Sequence, residues 1–234
     1  MKKIGLIGGV GWRSTAEYYR LINEDVALRL GGLHSARLSI ESLDLEQVRR
    51  LADAGKEDEL VGIYAGAARS LEASGAQLMA ICSNAAHARL GRLRGMVGVP
   101  FISIVEPLCT AARASGFVRL GLLGTRETMS RPFFRDMLTG AGFDVIVPPE
   151  ADQDWLHETI FGVLEQGRQT EQHRARFLAL VDGLARSGAQ AVVLGCTELP
   201  LLLGGAATAV PCLDTTQLHA AALVQAALAN TEPF

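Results

Sequence analysis

Three side chains with acid–base or hydrogen-bonding groups stand next to one another at Cys196, Thr197 and Glu198. They follow the apolar run 191–194 and Gly195, which predict a buried strand that ends in a sharp turn. Because open α/β sheets bind their ligands at the carboxyl ends of strands, this thiol, hydroxyl and carboxylate would lie at a ligand site. The alternative is a buried cysteine that packs as a small hydrophobe, and the motif alone leaves both interpretations open.

An internal repeat favours the functional interpretation. The tetrapeptide Ser-Gly-Ala-Gln occurs at 74–77 and again at 187–190, an offset of 113 residues (187 − 74 = 113), and an apolar run follows each copy. The same offset pairs Ser83 with Cys196. The residue that corresponds to the thiol is therefore a serine.

Further pairs extend the repeat over most of the chain. They are Asn84 with Thr197, residues 5–8 with 121–124 (offset 116), and the Val-Pro pairs at 99–100 and 210–211 (offset 111). The repeat predicts two similar α/β halves, each of which brings one reactive strand end to a shared cleft. Since the Val-Pro pairs are natural crossings between halves, we expect a discontinuous first domain of residues 1–98 and 212–234, and a second domain of residues 99–211.

The elements that must position these residues alternate between strands and helices. Apolar runs predict strands at 3–7, 36–40, 78–82, 101–104, 118–123, 144–147 and 191–194. Helical patterns predict helices at 57–73, 153–164, 174–187 and from Thr215 or Thr216 through Ala229, besides a first helix that starts near Ser14 or Thr15. This alternation predicts an α/β protein with parallel sheets.

A glycine-rich turn at residues 8–11, Gly-Gly-Val-Gly, joins the first strand to the first helix. The exposed N–H groups at such a helix start can bind an anion, and Ser14 or Thr15 can cap the helix. The turn lacks the Gly-Lys-Ser/Thr ending of a P-loop and does not match a regular GxGxxG fingerprint. We therefore expect a small carboxylate rather than a nucleotide at this turn.

Composition and charge restrict the classes of partner. The 234 residues are 49% hydrophobic and carry a formal net charge of −3 without a block of basic residues, so neither nucleic acid nor an anionic membrane surface is expected. No window approaches the length of a membrane span. The four cysteines are scattered and lack paired metal-ligand spacing, which predicts a cytoplasmic protein without a disulfide framework or a bound metal.

Several segments carry a resemblance to a known family. They are Ile4-Gly5-Leu6-Ile7-Gly8-Gly9, Trp12, Ser14-Thr15, Tyr18-Tyr19-Arg20-Leu21-Ile22-Asn23-Glu24, Gly32-Leu33-His34-Ser35-Ala36, Leu123-Gly124-Thr125-Arg126, Thr128-Met129 and Gly195-Cys196-Thr197-Glu198. Over nearly its whole length the sequence resembles the aspartate/glutamate racemases, the cofactor-independent amino-acid racemases. The resemblance implies two α/β domains related by a pseudo-twofold axis, an active site in the cleft between them, no cofactor or metal, and a homodimer.

The resemblance also implies a mechanism with two acid–base groups. Members of the family use two thiols on opposite faces of the α-carbon, because one base that returns its proton to the same face only restores the starting enantiomer. Cys196 matches the second thiol, and Ser83 takes the place of the first. By the same resemblance, Asn84 and Thr197 bind the substrate α-carboxylate, and Glu198 forms a hydrogen bond near the second acid–base group.

Four more residues complete the predicted substrate site. Ser14, Thr15 and Thr125 belong to the glycine turns that follow the first strand of each half. Arg13, with Arg49 as a second candidate, would bind a distal carboxylate, since a guanidinium can form two parallel hydrogen bonds with it. The predicted ligand is a small amino acid or dicarboxylate.

Four residues depart from the family pattern and keep other functions open. Ser83 replaces a cysteine, Ala85 a threonine, and Arg13 and Val163 each a glutamate. An alcohol is a very poor base near neutral pH, although some members of the family carry threonine at this position. Two alternatives therefore remain: a lyase or isomerase with one thiol, as in relatives that decarboxylate malonates, and a non-catalytic carboxylate-binding protein.

Overall fold

The computed structural model describes residues 1–130 and 132–229. Its strands are β1 (Ile4–Gly8), β2 (Leu38–Ser42), β3 (Leu78–Ile81), β4 (Arg119–Leu123), β5 (Asp144–Ile146), β6 (Ala191–Leu194) and β7 (Cys212–Asp214). Its α-helices are α1 (Trp12–Leu30), α2 (Leu45–Asp53), α3 (Glu57–Ala73), α4 (Leu90–Leu93), α5 (Val105–Ala114), α6 (Arg126–Ser130), α7 (Pro132–Gly140), α8 (Glu150–Thr159), α9 (Glu171–Arg186), α10 (Pro200–Leu203) and α11 (Thr215–Leu228). A 3₁₀ helix covers Ala85–Arg89, and a π-helical turn covers Ile160–Leu164.

The chain divides into two compact units, each built on one parallel sheet. Unit 1 comprises Met1–Ser103 and the described residues from His219 onward, and unit 2 comprises Ile104–Leu218. The strand order is β2-β1-β3 in unit 1 and β5-β4-β6-β7 in unit 2, and all strand pairs are parallel. The predicted fold class, α/β with two similar parallel sheets, is confirmed.

In unit 1, helices cover both faces of the sheet. Ile4 and Leu6 of β1 pack with apolar side chains of α1 and α11, whereas Ile7 belongs to a second cluster built largely from α3. Neighbouring side chains of a strand point to opposite faces, so a strand between two helical layers is apolar on both faces. This arrangement explains the uninterrupted burial of β1 and β3.

The core of unit 2 gathers around β4 and β6. Leu120, Leu122 and Val193 are fully buried and belong to one cluster with apolar side chains of α5, α7 and α9. Burial of each large apolar side chain contributes roughly 1.5–3 kcal/mol to stability. This packing holds the carboxyl ends of β4 and β6 in fixed positions.

The internal repeat is visible in the strand register. In unit 1 Leu6 pairs with Ala80, and in unit 2 Leu122 pairs with Val193, so the pairing agrees with offsets of 116 (122 − 6) and 113 (193 − 80) residues. The strand order β2-β1-β3 also corresponds to β5-β4-β6. Positions 83 and 196, which the repeat pairs, therefore follow β3 and β6 at the same distance along the chain.

The repeated Ser-Gly-Ala-Gln tetrapeptide connects a helix to a strand in both units. Gly75 and Gly188 have φ angles of 84° and 92°, which allow the chain to reverse after α3 and α9. Gln77 and Gln190 then accept a hydrogen bond at side-chain Oε1 from the backbone of the neighbouring strand, at 3.0 Å in both units. The same four residues recur because both connections need a glycine at positive φ and a glutamine that binds the backbone.

Residues 101–104 do not form the predicted strand. Phe101 forms one isolated bridge with Met79, and the Ile102 N–H donates to the Met79 carbonyl oxygen at 2.9 Å. The chain then enters α5 at Val105. An apolar run indicates burial and not strand pairing, so a short buried segment beside a sheet has the same pattern as a strand.

The helix predicted at 153–164 also differs from the structure. α8 begins at Glu150, directly after Pro149, and the chain changes to a π-helical turn at Ile160. Proline suits a helix start because its missing N–H needs no partner there. π-helical turns are rare and are frequent at functional sites.

Candidate functional site

The carboxyl end of β6 in unit 2 brings the three predicted side chains together. β6 ends at Leu194, and Cys196 lies half-buried just beyond Gly195. The Cys196 Sγ donates a hydrogen bond to Glu198 Oε2 at 2.9 Å, and the Thr197 Oγ1 donates to the same oxygen at 2.7 Å. Since Glu198 is buried, its carboxylate is fixed beside the thiol.

The surroundings of Cys196 favour its protonated form. The pKa of the Cys196 thiol is raised well above its usual value. The largest cause is the enclosure of the half-buried thiol by protein, and the charge and hydrogen bond of Glu198 and the charge of Glu165 add to it. The group at rest is therefore a thiol. Because its pKa is raised, the thiolate formed when this thiol loses its proton would be a strong base.

Glu165 is a charged neighbour of Cys196 that the sequence did not point to. It caps the carboxyl end of the π-helical turn, where its N–H binds the Ile160 carbonyl oxygen at 3.0 Å. The family resemblance points only to Val163, which replaces a glutamate of the family. The charge of Glu165, two positions further along, acts on the Cys196 thiol.

Gly195 is required by close packing. A Cβ at this position would lie 2.9 Å from the Leu123 carbonyl oxygen and 2.9 Å from Thr128 Cγ2. The predicted turn follows β6 at residues 197–199, but the φ of Gly195 is not positive, so close packing and not a left-handed backbone requires glycine here. Since β4 and β6 are parallel neighbours, Thr125 and Cys196 follow them at the same edge of the sheet.

In unit 1 the carboxyl end of β3 holds Ser83 and Asn84. The Cys82 N–H donates to the Ile7 carbonyl oxygen at 2.9 Å, so the sheet fixes the chain up to the residue before Ser83. Ser83 is half-buried, and Asn84 is buried at the start of the 3₁₀ helix. His87 binds the backbone at this strand end, since its Nδ1 lies 2.7 Å from the Ser83 carbonyl oxygen.

Thr15 holds the glycine-rich turn of unit 1 and does not cap α1. The helix begins at Trp12, which corrects the predicted start near Ser14 or Thr15. The Thr15 Oγ1 accepts the Gly9 N–H at 2.9 Å, and a Cβ at Gly8 would collide with the Thr15 side chain. The hydroxyl therefore orders the turn that follows β1.

The other predicted substrate residues differ in exposure. Ser14 is buried in the first turn of α1, and Arg13 is half-buried with its guanidinium carbon 4.7 Å from the centre of the Trp12 ring. Thr125 is half-buried after β4, and Arg49 is exposed on α2. Their roles in substrate binding stay predictions.

Two buried histidines lie behind the end of β3 in unit 1. The His219 Nδ1 lies 2.7 Å from the Tyr18 hydroxyl, its Nε2 lies 3.0 Å from the Ile102 carbonyl oxygen, and its ring contacts that of His87. Burial lowers the pKa of His87 to about 4. Burial and the neighbouring His87 lower the pKa of His219 to about 3. Both imidazoles are therefore neutral in the folded protein at neutral pH.

Acid is expected to destabilise the protein through these histidines. An imidazole of the unfolded chain binds a proton below about pH 6.5, whereas the folded chain resists protonation down to about pH 4. The stability that the neutral imidazoles contribute is thus fully present above pH 6.5 and is lost as the pH falls towards 4. For His87 the free energy of unfolding falls by roughly 3 kcal/mol over this range. Urea unfolding at pH 7, 6 and 5 measures this loss.

A histidine variant provides the control for that measurement. His219→Gln should reduce the slope of unfolding free energy against pH, whereas substitution of the exposed His34 by glutamine should leave it unchanged. Equal slopes in His219→Gln and the wild type would show that the buried pair does not cause the acid effect.

Among residues 1–130 and 132–229, no three or more His, Cys, Asp and Glu side chains are grouped so that they could hold a metal ion. Within the same ranges, no helix is long and apolar enough to cross a membrane.

The sequence matches one family model over most of its length. The Asp/Glu/hydantoin racemase model covers residues 7–223. The chain belongs to this family. Its homologues include glutamate racemases, which are isomerases, so the predicted family and enzyme class are confirmed at the level of the family.

Three relatives illustrate the place of the chain among the Asp/Glu/hydantoin racemases. A Yersinia pestis protein provisionally described as an Asp/Glu racemase has 35% sequence identity and a TM-score of 0.91, with 97% of this chain and 100% of that chain covered. An aspartate racemase homologue from Pyrococcus horikoshii has 28% identity and a TM-score of 0.86, with 97% and 99% covered. The glutamate racemase of Roseiflexus sp. is 30% identical over 183 residues, which are 74% of this chain and 66% of that enzyme.

Proposed function

We propose that this protein racemises an acidic amino acid, aspartate or glutamate, without a cofactor. The observation that carries the proposal is the Cys196 thiol, bound to Glu198 at 2.9 Å, at the position that the repeat pairs with Ser83. Family membership supports an amino-acid racemase, and the names of the relatives supply aspartate and glutamate as substrates.

In the proposed reaction, Cys196 acts as a thiolate on the L-enantiomer. Glu198 first takes the thiol proton, a transfer that the 2.9 Å hydrogen bond prepares. The thiolate then removes the α-proton, and the electron pair of the broken C–H bond delocalises into the α-carboxylate. Because the pKa of the thiol is raised, its thiolate is basic enough to attack a weakly acidic C–H bond.

Ser83, or a water molecule that it binds, delivers a proton to the opposite face of the α-carbon. A hydroxyl can donate a proton to a carbanion, whereas removal of a proton from carbon is much harder for an alcohol near neutral pH. Cys196 then carries the α-proton and is again a thiol. Glu198 releases to solvent the proton that it took from the thiol, and solvent replaces the proton lost at Ser83. The enzyme returns to its starting state. Because an alcohol removes a proton from carbon less readily than a thiolate does, kcat differs between the L-to-D and the D-to-L direction.

The α-carboxylate of the substrate is assigned to Asn84 and Thr197. Replacement of either residue by alanine is expected to raise KM roughly 10- to 100-fold, since a hydrogen bond to a charged group contributes about 1.5–3 kcal/mol. When substrate binds, the Thr197 hydroxyl turns its single proton from Glu198 to the carboxylate. Steady-state kinetics with both enantiomers measure this change. Thr208→Ala, which removes another half-buried hydroxyl of unit 2, serves as the control. Unchanged KM and kcat in both site variants would refute the assignment.

We further propose that the enzyme is a cytoplasmic homodimer, which the resemblance to the family supports. Sedimentation velocity of the purified protein tests the dimer. A small-molecule substrate is the proposed ligand, with neither nucleic acid nor a membrane as a partner.

A lyase with a single thiol is the second candidate, because only one of the two repeat-related positions carries a thiol. Hydrogen exchange at Cα in ²H₂O separates the candidates when L- and D-aspartate, L- and D-glutamate and a 2-substituted malonate are offered. A racemase labels and interconverts an amino acid, a lyase releases CO₂ from the malonate, and a binding protein only gains thermal stability. Absence of exchange with all four amino acids in folded protein would refute the proposed function.

A further inference from the structure

The backbone at Ser83 depends on a side chain for its hydrogen bond. The His87 N–H binds the Asn84 carbonyl oxygen at 3.1 Å, in the 3₁₀ pattern. An α-helical turn would have paired this N–H with the Ser83 carbonyl oxygen. That oxygen instead accepts from the His87 Nδ1 at 2.7 Å, so the imidazole replaces the missing backbone bond and fixes the peptide between Ser83 and Asn84.

This hydrogen bond determines the tautomer of His87. A carbonyl oxygen can only accept, so Nδ1 carries the proton and Nε2 is left with a lone pair. His87 is only 1% exposed, and its Nε2 has no hydrogen-bond partner within the described residues. The bond to Ser83 is therefore the polar contact that orients the ring.

His219 supports the ring of His87 from α11. The two ring centroids lie 5.4 Å apart with planes at 70°, an edge-on contact. His219 is held at both nitrogens, because its Nε2 donates to the Ile102 carbonyl oxygen and its Nδ1 accepts from the Tyr18 hydroxyl. α11 thus contacts the ring that holds Ser83, and α1 holds the ring of His219.

We propose that His87 is a positioning residue, which holds Ser83 and Asn84 in the orientation that proton delivery and carboxylate binding require. This inference rests on the proposed function. The internal repeat places Pro200 at the position related to His87 (200 − 87 = 113), so unit 2 lacks the corresponding imidazole. The effect is geometric, since a displacement of about 1 Å at a reacting group can lower a rate roughly 100-fold.

Nitrogen NMR of the full chain with ¹⁵N-labelled histidine tests the hydrogen bond without reference to activity. At neutral pH we expect a protonated Nδ1 in His87 and a protonated Nε2 in His219. Spectra of variants in which one histidine at a time is replaced assign the signals. A protonated Nε2 in His87 would overturn the positioning role alone. Absence of Cα exchange in the wild type would instead overturn the proposed function, and the catalytic part of this role with it.

A matched pair of variants tests the effect on the reaction. In His87→Asn the side-chain amide nitrogen takes the place of Nδ1–H, whereas in His87→Gln it lies further out, near the place of Nε2. We expect kcat within about threefold of the wild type for asparagine and roughly 10- to 100-fold lower for glutamine. If His87 only filled space in the core, asparagine would not preserve kcat better than glutamine does.

Val26→Ala is the control, since it removes buried apolar contacts of α1 in unit 1 and lies outside the contacts that join Tyr18, His219 and His87. It should lower the melting temperature and leave kcat unchanged. The positioning role is overturned if His87→Gln retains the wild-type kcat, or if Val26→Ala lowers kcat as much as His87→Gln does.

Discussion

Cys196→Ala is expected to lower the rate of Cα–H exchange by about 10²–10⁴-fold, the usual contribution of a general acid or base. The thiol is the proposed acid–base group on one face of the substrate, and alanine can neither take nor give a proton. The fold should persist, because Cys196 is half-buried and Glu198 keeps its hydrogen bond from Thr197 at 2.7 Å. Proton NMR of the substrate in ²H₂O, with circular dichroism of the protein, measures both outcomes.

Cys212→Ala is the matched control for this loss. It removes another half-buried thiol of unit 2, whose hydrogen-bond partner is the Thr208 hydroxyl at 3.9 Å. Its exchange rate should equal that of the wild type. A folded Cys196→Ala protein with full activity would refute the acid–base role of Cys196, and equal losses in both variants would point to a structural effect.

Ser83→Cys is expected to raise turnover, and most of all from the D-enantiomer. A thiol can reach the thiolate and remove a proton from carbon, which a serine hydroxyl does poorly near neutral pH. Gain of a general base should raise kcat from the D-side roughly 10- to 100-fold, within the range known for such catalysis. Initial rates in both directions, with deuterium incorporation, measure the gain.

The wild-type enzyme should already show this asymmetry. Because the equilibrium constant of a racemisation is one, kcat/KM must be equal for the two enantiomers. A lower kcat from the D-side must therefore come with a proportionally lower KM. Ser115→Cys, which adds a thiol on the surface of unit 2, provides the control. Equal kcat values in the wild type, without a gain in Ser83→Cys, would exclude this account of Ser83.

The position of the candidate site was predictable because the chain repeats itself. The offset of 113 residues pairs Ser83 with Cys196, and the same offset relates Ala80 to Val193 in the strand register. The tetrapeptide behind this offset connects a helix to a strand in both units, and its glycine supplies the positive φ that the chain reversal needs. Such local requirements remain visible in a single sequence.

Contacts between distant residues were not predictable. Gly195 looks like a flexible turn residue, yet what excludes a side chain there is the approach of the Leu123 carbonyl oxygen. The charge of Glu165, which lies 31 residues before Cys196 in the sequence (196 − 165 = 31), raises the pKa of the Cys196 thiol. Each of these depends on which elements pack together, and local patterns do not encode that.

The distribution of deuterium at low conversion tests the central claim most directly, namely that one group removes the α-proton and another delivers a proton to the opposite face. The wild-type enzyme is mixed with the protiated L-enantiomer of its substrate in ²H₂O, and both enantiomers are analysed early in the reaction. The account predicts that the D-product carries deuterium at Cα while the remaining L-substrate stays protiated. Deuterium in the remaining L-substrate, gained as fast as the D-product forms, would contradict it.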